Sequence, residues 1–96
     1  MELGKAIREV RKKKGFTLVE MSDKTGISIN ALSLMEKGDT FPQKKSLEKV
    51  SEALNVPINY FLLLAVDQND IEEDKRDIFN TLHNTLKEIV LKDILK

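Results

Sequence analysis

Residues 17–38, TLVEMSDKTGISINALSLMEKG, predict a short helix, a tight turn and a second short helix. Thr17 is followed three residues later by Glu20, and this pair is a capping box that opens the first of the two helices. Gly26 ends that helix, and Ser28 is a good N-cap for the next one. The final glycine of the stretch closes the second helix. Two helices of eight to ten residues are therefore predicted on either side of the turn.

An amphipathic helix is predicted before this stretch. Leu3, Ile7 and Val10 lie on one face at helical spacing, while the opposite face carries lysine and arginine side chains. Gly15 is a suitable residue to end the helix. The first helix therefore has one face for a core and one face for water.

Two more helices are predicted after the stretch. Pro42 disfavours helix at the residue before it, so a fourth helix begins near Gln43. Pro57 occupies the first turn of a fifth, strongly apolar helix that covers about residues 58–64. The sequence predicts an all-α fold, with a domain of five helices over residues 1–65.

Residues 66–96 are predicted to form a linker and one further helix. No Gly or Pro occurs between Ile71 and Leu95, so a helix of up to about 25 residues, about 37 Å long, can form. Its apolar residues repeat at spacings of three and four, as in a coiled-coil seam. The helix either folds back on its own domain or pairs with the same helix of a second subunit. His83 is expected at its surface.

The charges of the chain are divided unevenly, although the formal net charge is zero. Residues 1–65 carry eleven Lys or Arg and eight Asp or Glu, a net charge of +3, and the remainder carries −3. A basic first part weakly favours a polyanionic partner, and an ordinary solvated surface explains it equally well.

The residue inventory gives little support to an enzyme. The chain has one His and no Cys, and it lacks metal-ligand spacing, a glycine-rich phosphate loop and a nucleophile with its base. No catalytic residue, metal or cofactor is therefore expected. The longest apolar run has seven residues, against about 20 for a membrane span, and a cytoplasmic protein without membrane contact is expected.

Glycine, capping and apolar positions occur in a recognisable register over residues 3–64. They are Leu3-Gly4, Ile7-Arg8, Arg11, Lys14-Gly15-Phe16-Thr17, Gly26-Ile27-Ser28, Leu32-Ser33, Met35-Glu36-Lys37-Gly38, Pro42 and Ala53-Leu54-Asn55-Val56-Pro57. This pattern resembles the helix-turn-helix domain of the phage-repressor and Xre family. The resemblance implies a five-helix lambda-repressor-like domain whose third helix reads DNA, followed here by one long C-terminal helix.

The third helix, about residues 28–37, has one face available for base reading. If Leu32 and Met35 are buried, the face toward its N-terminal end carries Ile29, Asn30, Ala31, Ser33 and Leu34. Asn30 can bond both N6 and N7 of adenine, and Ile29 or Ala31 can contact a thymine methyl. The alternative is that Asn30 is only solvated and that the apolar residues of the face contact protein.

Polar residues near helix starts and after the third helix are candidates for phosphate contact. They are Thr17, Ser28, Lys37, Thr40, Lys44 and Lys45. Ser28 is equally well explained as a cap alone. Arg11 and Glu36 resemble the family's pair that ties the first helix to the end of the third. A structural ion pair is therefore expected for them.

The resemblance implies a sequence-specific DNA-binding transcriptional regulator. A repressor that binds an inverted-repeat operator on double-stranded DNA is favoured, because the operators of the family are commonly two-fold symmetric. The last helix is then the dimerisation element, through Ile78, Phe79, Leu82, Leu86, Ile89 and Val90. The alternative is an antitoxin-like or antagonist-controlled regulator whose last helix binds another protein.

Overall fold

Six α-helices account for most of the computed structural model, which describes residues 1–95 and has no strand among them. The helices are α1 (Leu3–Lys13), α2 (Leu18–Thr25), α3 (Ile29–Lys37), α4 (Lys44–Leu54), α5 (Ile58–Ala65) and α6 (Arg76–Ile94). The predicted all-α class, with five helices followed by a long C-terminal one, is confirmed. Lys96, the last residue of the predicted tail, lies outside the described residues.

The capping residues of α2 and α3 make the contacts that their types predict. The backbone N–H of Glu20 donates to Thr17 Oγ1, and the N–H of Thr17 donates to Glu20 Oε1, both at 3.1 Å. Ser28 Oγ accepts the N–H of Ala31 at 3.1 Å. These bonds satisfy donors that a helix start otherwise leaves free, so α2 and α3 begin where the sequence predicts.

The turn between α2 and α3 is fixed by one glycine and one threonine. Gly26 has φ +74°, in the left-handed region that side chains rarely adopt. The buried Thr25 hydroxyl donates to the carbonyl of Met21 at 2.7 Å and accepts the N–H of Ile27 at 3.1 Å. The angle between the two helices is therefore held by local hydrogen bonds as well as by the core.

One hydrophobic core is shared by all the helices. α1 packs against α3 and α5, and α2 packs against α3 and α4. Full burial of each large apolar side chain contributes roughly 1.5–3 kcal/mol. The largest fully buried side chains are Phe61, Ile7, Met21, Leu32, Leu54, Val10 and Val50.

The linker before α6 differs from the predicted continuous helix. Two 3₁₀ turns, Gln68–Asp70 and Glu73–Lys75, precede α6, which begins at Arg76 and not at Ile71. The guanidinium Nε of Arg76 donates to the carbonyls of Gln68 at 2.9 Å and Ile71 at 3.1 Å. These bonds hold the chain in a turn, so the absence of Gly and Pro alone overestimated the length of the helix.

One face of α6 packs on the rest of its own chain. Val90 and Ile94 are only 8% and 3% exposed and belong to the core. Tyr60 Oη donates to Asp93 Oδ2 at 2.8 Å, which joins α5 to the end of α6. Of the two alternatives for the tail, folding back therefore applies to this face, and Val90, which was predicted as a dimerisation residue, lies in the core of its own chain.

Two rings on α6 also lie toward α5. His83 Nε2 is 2.6 Å from the carbonyl oxygen of Leu63, and the ring of His83 stacks on Phe79 with 4.8 Å between centroids. Both side chains are half-buried. His83 is therefore half-buried and not the surface residue that was expected. Phe79, which was predicted as a dimerisation residue, stacks on His83 within its own chain.

Candidate nucleic-acid interface

The N-terminal end of α3 presents the predicted reading residues in two layers. Ile29 and Asn30 are exposed, whereas Leu32 and Met35 are buried. The second layer is half-buried and consists of Ala31, Ser33 and Leu34. Burial of the inner residues fixes the rotation of the helix, so the exposed pair stands farthest from the core.

Thr17 and Ser28 lie at the starts of α2 and α3, and both are exposed. The hydroxyl oxygen of each accepts a backbone N–H within its own helix. A hydroxyl that accepts still carries a proton to donate. The two caps can therefore keep their structural bonds while they donate to an anion.

The other predicted phosphate residues lie in the segment 37–45, which covers the last residue of α3, the loop after it and the start of α4. Gly38 has φ +83°, and the N–H of Asp39 donates to the carbonyl of Leu34 at 3.0 Å, which turns the chain away from α3. Lys44 and Lys45 form the start of α4. The predicted residues of this segment are all exposed, namely Lys37, Thr40, Lys44 and Lys45.

Three further exposed residues lie near these elements and were not among the residues predicted for the site. Arg8 lies on α1, Val19 lies in the first turn of α2, and Phe41 precedes Pro42 in the loop after α3. Phe41 is 70% exposed. Its position in a polar loop without apolar periodicity was a signal available from the sequence, and so was the spacing of three residues between Arg8 and Arg11.

Arg11 and Glu36 form a two-pronged ion pair between α1 and α3. Arg11 Nε donates to Glu36 Oε2 at 2.7 Å, and Arg11 Nη2 donates to Glu36 Oε1 at 2.9 Å. The third nitrogen, Nη1, donates to the carbonyl of Phe16 at 2.8 Å. The side chains are only 9% and 6% exposed, and the hydrogen bonds to Glu36 raise the pKa of Arg11 above its ordinary value.

Glu36→Ala is expected to lower the free energy of unfolding by about 1–3 kcal/mol, because it leaves the guanidinium of Arg11 poorly solvated and without its carboxylate. Urea denaturation monitored by circular dichroism measures the change. Glu48→Ala is the control, because Glu48 is exposed on α4. Equal losses for both variants would show that the pair adds nothing beyond a surface charge.

Two other kinds of site, a metal centre and a membrane-spanning helix, are not found in the described part of the chain. Within residues 1–95, no three His, Asp or Glu side chains come close enough to hold a metal ion. No helix among these residues is long and apolar enough to cross a membrane. The exposed face of α3 and its flanking elements are therefore the best-defined candidate site.

The chain is similar to known transcriptional regulators, to one of them over nearly its whole length. It is 33% identical to the HTH-type transcriptional regulator ImmR of Bacillus subtilis, over 99% of this chain and 73% of that protein. It is 38% identical over 61 residues to the HTH-type transcriptional regulator SinR of Bacillus subtilis, which covers 62% of this chain and 55% of SinR. The match to the HTH-type transcriptional regulator SutR of Escherichia coli is 28% identical over 62% of the chain and 34% of SutR.

The family assignment rests on the first five helices. The helix-turn-helix family model matches residues 7–61, which is more than half of the chain and includes α2, the turn and α3. No solved structure matches the chain. ImmR and SinR are transcriptional regulators by name and not enzymes. The chain therefore belongs to the helix-turn-helix family of DNA-binding transcriptional regulators.

Proposed function

We propose that this protein is a cytoplasmic transcriptional repressor that binds an inverted-repeat operator as a homodimer, with α3 of each subunit in the major groove. The observation that carries the proposal is the exposure of Ile29 and Asn30 at the N-terminal end of α3. In helix-turn-helix proteins, these N-terminal residues are the ones that reach base edges. A small protein that occupies an operator in this way excludes other proteins from it, which supports repression.

The reading face is suited to A·T base pairs. The amide of Asn30 can accept from N6 and donate to N7 of one adenine, which distinguishes adenine from the other bases in the major groove. Ile29 and Ala31 offer apolar contact to a thymine methyl. Ser33 and Leu34 lie one turn farther along α3 and are assigned to the edge of the same contact.

Phosphate contacts on both sides of α3 position the reading face. Thr17 and Ser28 lie at helix N-termini, where the backbone dipole and the hydroxyl proton both favour an anion. The residues after the reading end are assigned to the other flank and are Lys37, Thr40, Lys44 and Lys45. Such contacts add affinity and orientation without sequence information.

A stripe of exposed apolar residues on α6 supports the homodimer. The α6 stripe consists of Ile78, Leu82, Leu86 and Ile89, which are between 47% and 68% exposed. Large exposed apolar patches mark interaction surfaces, and we assign this one to a second copy of the chain. In an antiparallel pair of these helices, the opposite ends of the two helix dipoles lie side by side.

The experiment is selection of bound DNA from a random pool, followed by binding measurements on the selected site. Two-fold pairing predicts an inverted repeat with half-site centres about 34 Å, or 10–10.5 base pairs, apart, or a multiple of this. Asn30→Ala is expected to cost about 1–3 kcal/mol on the selected site and to relax preference at one base pair. Lys45→Ala is the contrast, because it should weaken binding to all sequences alike and lower the salt slope by about one for each half-site.

Equal weakening of random and selected DNA by Asn30→Ala would contradict the reading role of α3. The α6 stripe also favours a second candidate function, in which it binds a different protein and the chain is an antagonist-controlled or antitoxin-like regulator. The mass of the purified chain in solution separates the two. Self-pairing gives a particle of twice 11.0 kDa, whereas a stripe made for another protein leaves monomer or aggregate.

A further inference from the structure

A groove of about 160 Å³ lies where α1, α2 and α3 meet. It is lined by Arg8, Arg11, Leu18, Ser33, Glu36 and Lys37. We propose that this groove holds one DNA phosphate, with the guanidinium of Arg8 as its main ligand. The inference rests on the proposed DNA contact of α3 and adds a residue of α1 to it.

The charges of the groove favour an anion. Arg11 and Glu36 neutralise each other, because both carboxylate oxygens accept hydrogen bonds from the one guanidinium. Arg8 and Lys37 are both exposed, and neither has an ion-pair partner among residues 1–95. Two positive charges therefore remain at a groove whose only carboxylate is already paired.

The position of the groove relative to α3 fits a phosphate of the duplex backbone. Ile29, Ser33 and Lys37 follow one another at intervals of four residues and so lie in one row along α3. From Ile29 to Lys37 the row covers about 12 Å at 1.5 Å per residue. The groove lined by Ser33 and Lys37 therefore lies beside the reading residues and not among them, and backbone phosphates are the duplex groups that flank base contacts.

The chemistry of the lining side chains assigns the donor role to Arg8. A guanidinium presents paired N–H groups that match two oxygens of a phosphate, whereas the ammonium of Lys37 acts as a point charge. Ser33 supplies one hydroxyl proton. Leu18 has no donor. Each of the three guanidinium nitrogens of Arg11 already donates a hydrogen bond to Glu36 or to Phe16, whereas Arg8 has no ion-pair partner among residues 1–95, so Arg8 is the arginine more available to a ligand.

The test compares Arg8→Ala with the unchanged protein on selected and random DNA at several salt concentrations. We expect both affinities to fall alike, by about tenfold for each subunit of the dimer, as loss of one hydrogen bond to a charged group in each half-site predicts. The slope of log affinity against log salt should fall by about one for each subunit, and so by about two for the dimer. Arg8→Lys should keep the slope, because it keeps the charge, while it loses part of the affinity.

Lys49→Ala is the matched control, because Lys49 is an exposed lysine on α4 that does not line the groove. An equal fall in slope for Lys49→Ala and Arg8→Ala would overturn the inference, since net charge alone would then explain both. Ethylation interference gives a second readout that does not depend on the size of the affinity change. One phosphate in each half-site should inhibit the unchanged protein when ethylated and should have no effect on Arg8→Ala.

The failure of this inference is distinguishable from failure of the proposed function. If the unchanged protein selects a DNA sequence, and Arg8→Ala leaves both the salt slope and the ethylation pattern unchanged, the groove is not a phosphate site although α3 still reads DNA. If the unchanged protein selects no sequence, the proposed function fails and this inference fails with it. Arg8→Gln replaces Arg8→Ala if circular dichroism shows that the alanine variant is not folded.

Discussion

Gly4→Ala is expected to lower the free energy of unfolding by about 3 kcal/mol or more, which is a large fraction of the stability of a small domain. α1 crosses α3 at this residue, and a Cβ added to Gly4 would overlap the carbonyl oxygen of Met35. The carbonyl carbon of Met35 and the Cα of Glu36 would lie 2.9 Å and 3.3 Å from the added atom. These atoms belong to the backbone of α3, so relief requires that one helix move against the other.

Gly15→Ala is the matched control for this substitution. Gly15 has φ +79° and nothing within 4 Å of an added Cβ, so the change adds backbone strain without a steric clash. Its cost should be about 1–2 kcal/mol, as expected for a left-handed conformation of an ordinary residue. Urea unfolding of both variants measures the difference. A loss at Gly4 no larger than that at Gly15 would mean that α1 and α3 separate without cost, and the close crossing would then have no energetic weight.

The need for a glycine at position 4 shows what sequence patterns do and do not contain. In a helical pattern, a glycine among good helix formers reads only as a weak point, since it is destabilising compared with alanine. Its value depends on where α3 lies, and α3 is 25 or more residues away along the chain. By contrast, Thr17, Glu20 and Gly26 act on neighbours within a few residues, so the bounds of α2 and α3 follow from local chemistry.

The candidate site shows the same contrast between features that follow from spacing within one helix and features that depend on packing between helices. The exposed end of α3 follows from the burial of Leu32 and Met35, because helical spacing within one element fixes which side faces outward. The groove between Arg8 and Lys37 depends on the packing of two helices, and no periodicity relates those positions. Helical spacing on one element therefore predicted the candidate reading residues, whereas the proposed role of Arg8 needed the positions of neighbouring helices.

The C-terminal helix α6 shows that the sequence does not reveal which apolar residues are buried within the same chain. Its apolar residues form one broad stripe in the sequence, and the structure divides that stripe between an intrachain face and an exposed face. Val90 and Ile94 lie on the first, and the α6 stripe forms the second. The spacing of apolar residues shows that one side of α6 should be buried. How much of that side is buried within the same chain depends on where α5 packs against α6.

This division also decides how dimerisation is best tested. Deleting residues 66–96 removes Val90 and Ile94 from the core together with the α6 stripe, so a loss of dimer would be mixed with a loss of stability. A single substitution on the exposed face changes the stripe alone. Leu82 is suitable because it is 60% exposed, and exposed sites usually tolerate substitution within about 0.5 kcal/mol.

Leu82→Glu is expected to convert the dimer to monomer and to lower operator affinity by on the order of 100-fold or more. A two-fold interface brings each substituted carboxylate near its copy, where desolvation and like charge both oppose pairing. Affinity then falls steeply because each half-site must bind without the gain in effective concentration that a linked second half-site provides. Sedimentation equilibrium measures the mass, and titration of the selected inverted repeat measures the affinity.

Asn84→Glu is the control that adds the same charge to the same helix. Two residues along an α-helix are about 200° apart around its axis, so Asn84 faces away from the stripe, and it is exposed. This variant should keep both the mass of a dimer and the operator affinity, while the thermal midpoints of both variants stay close to that of the unchanged protein. A dimeric Leu82→Glu protein would place the interface elsewhere. If the unchanged protein is a monomer in solution and still binds the inverted repeat tightly, α6 does not form the dimer. The DNA alone would then bring the two subunits together.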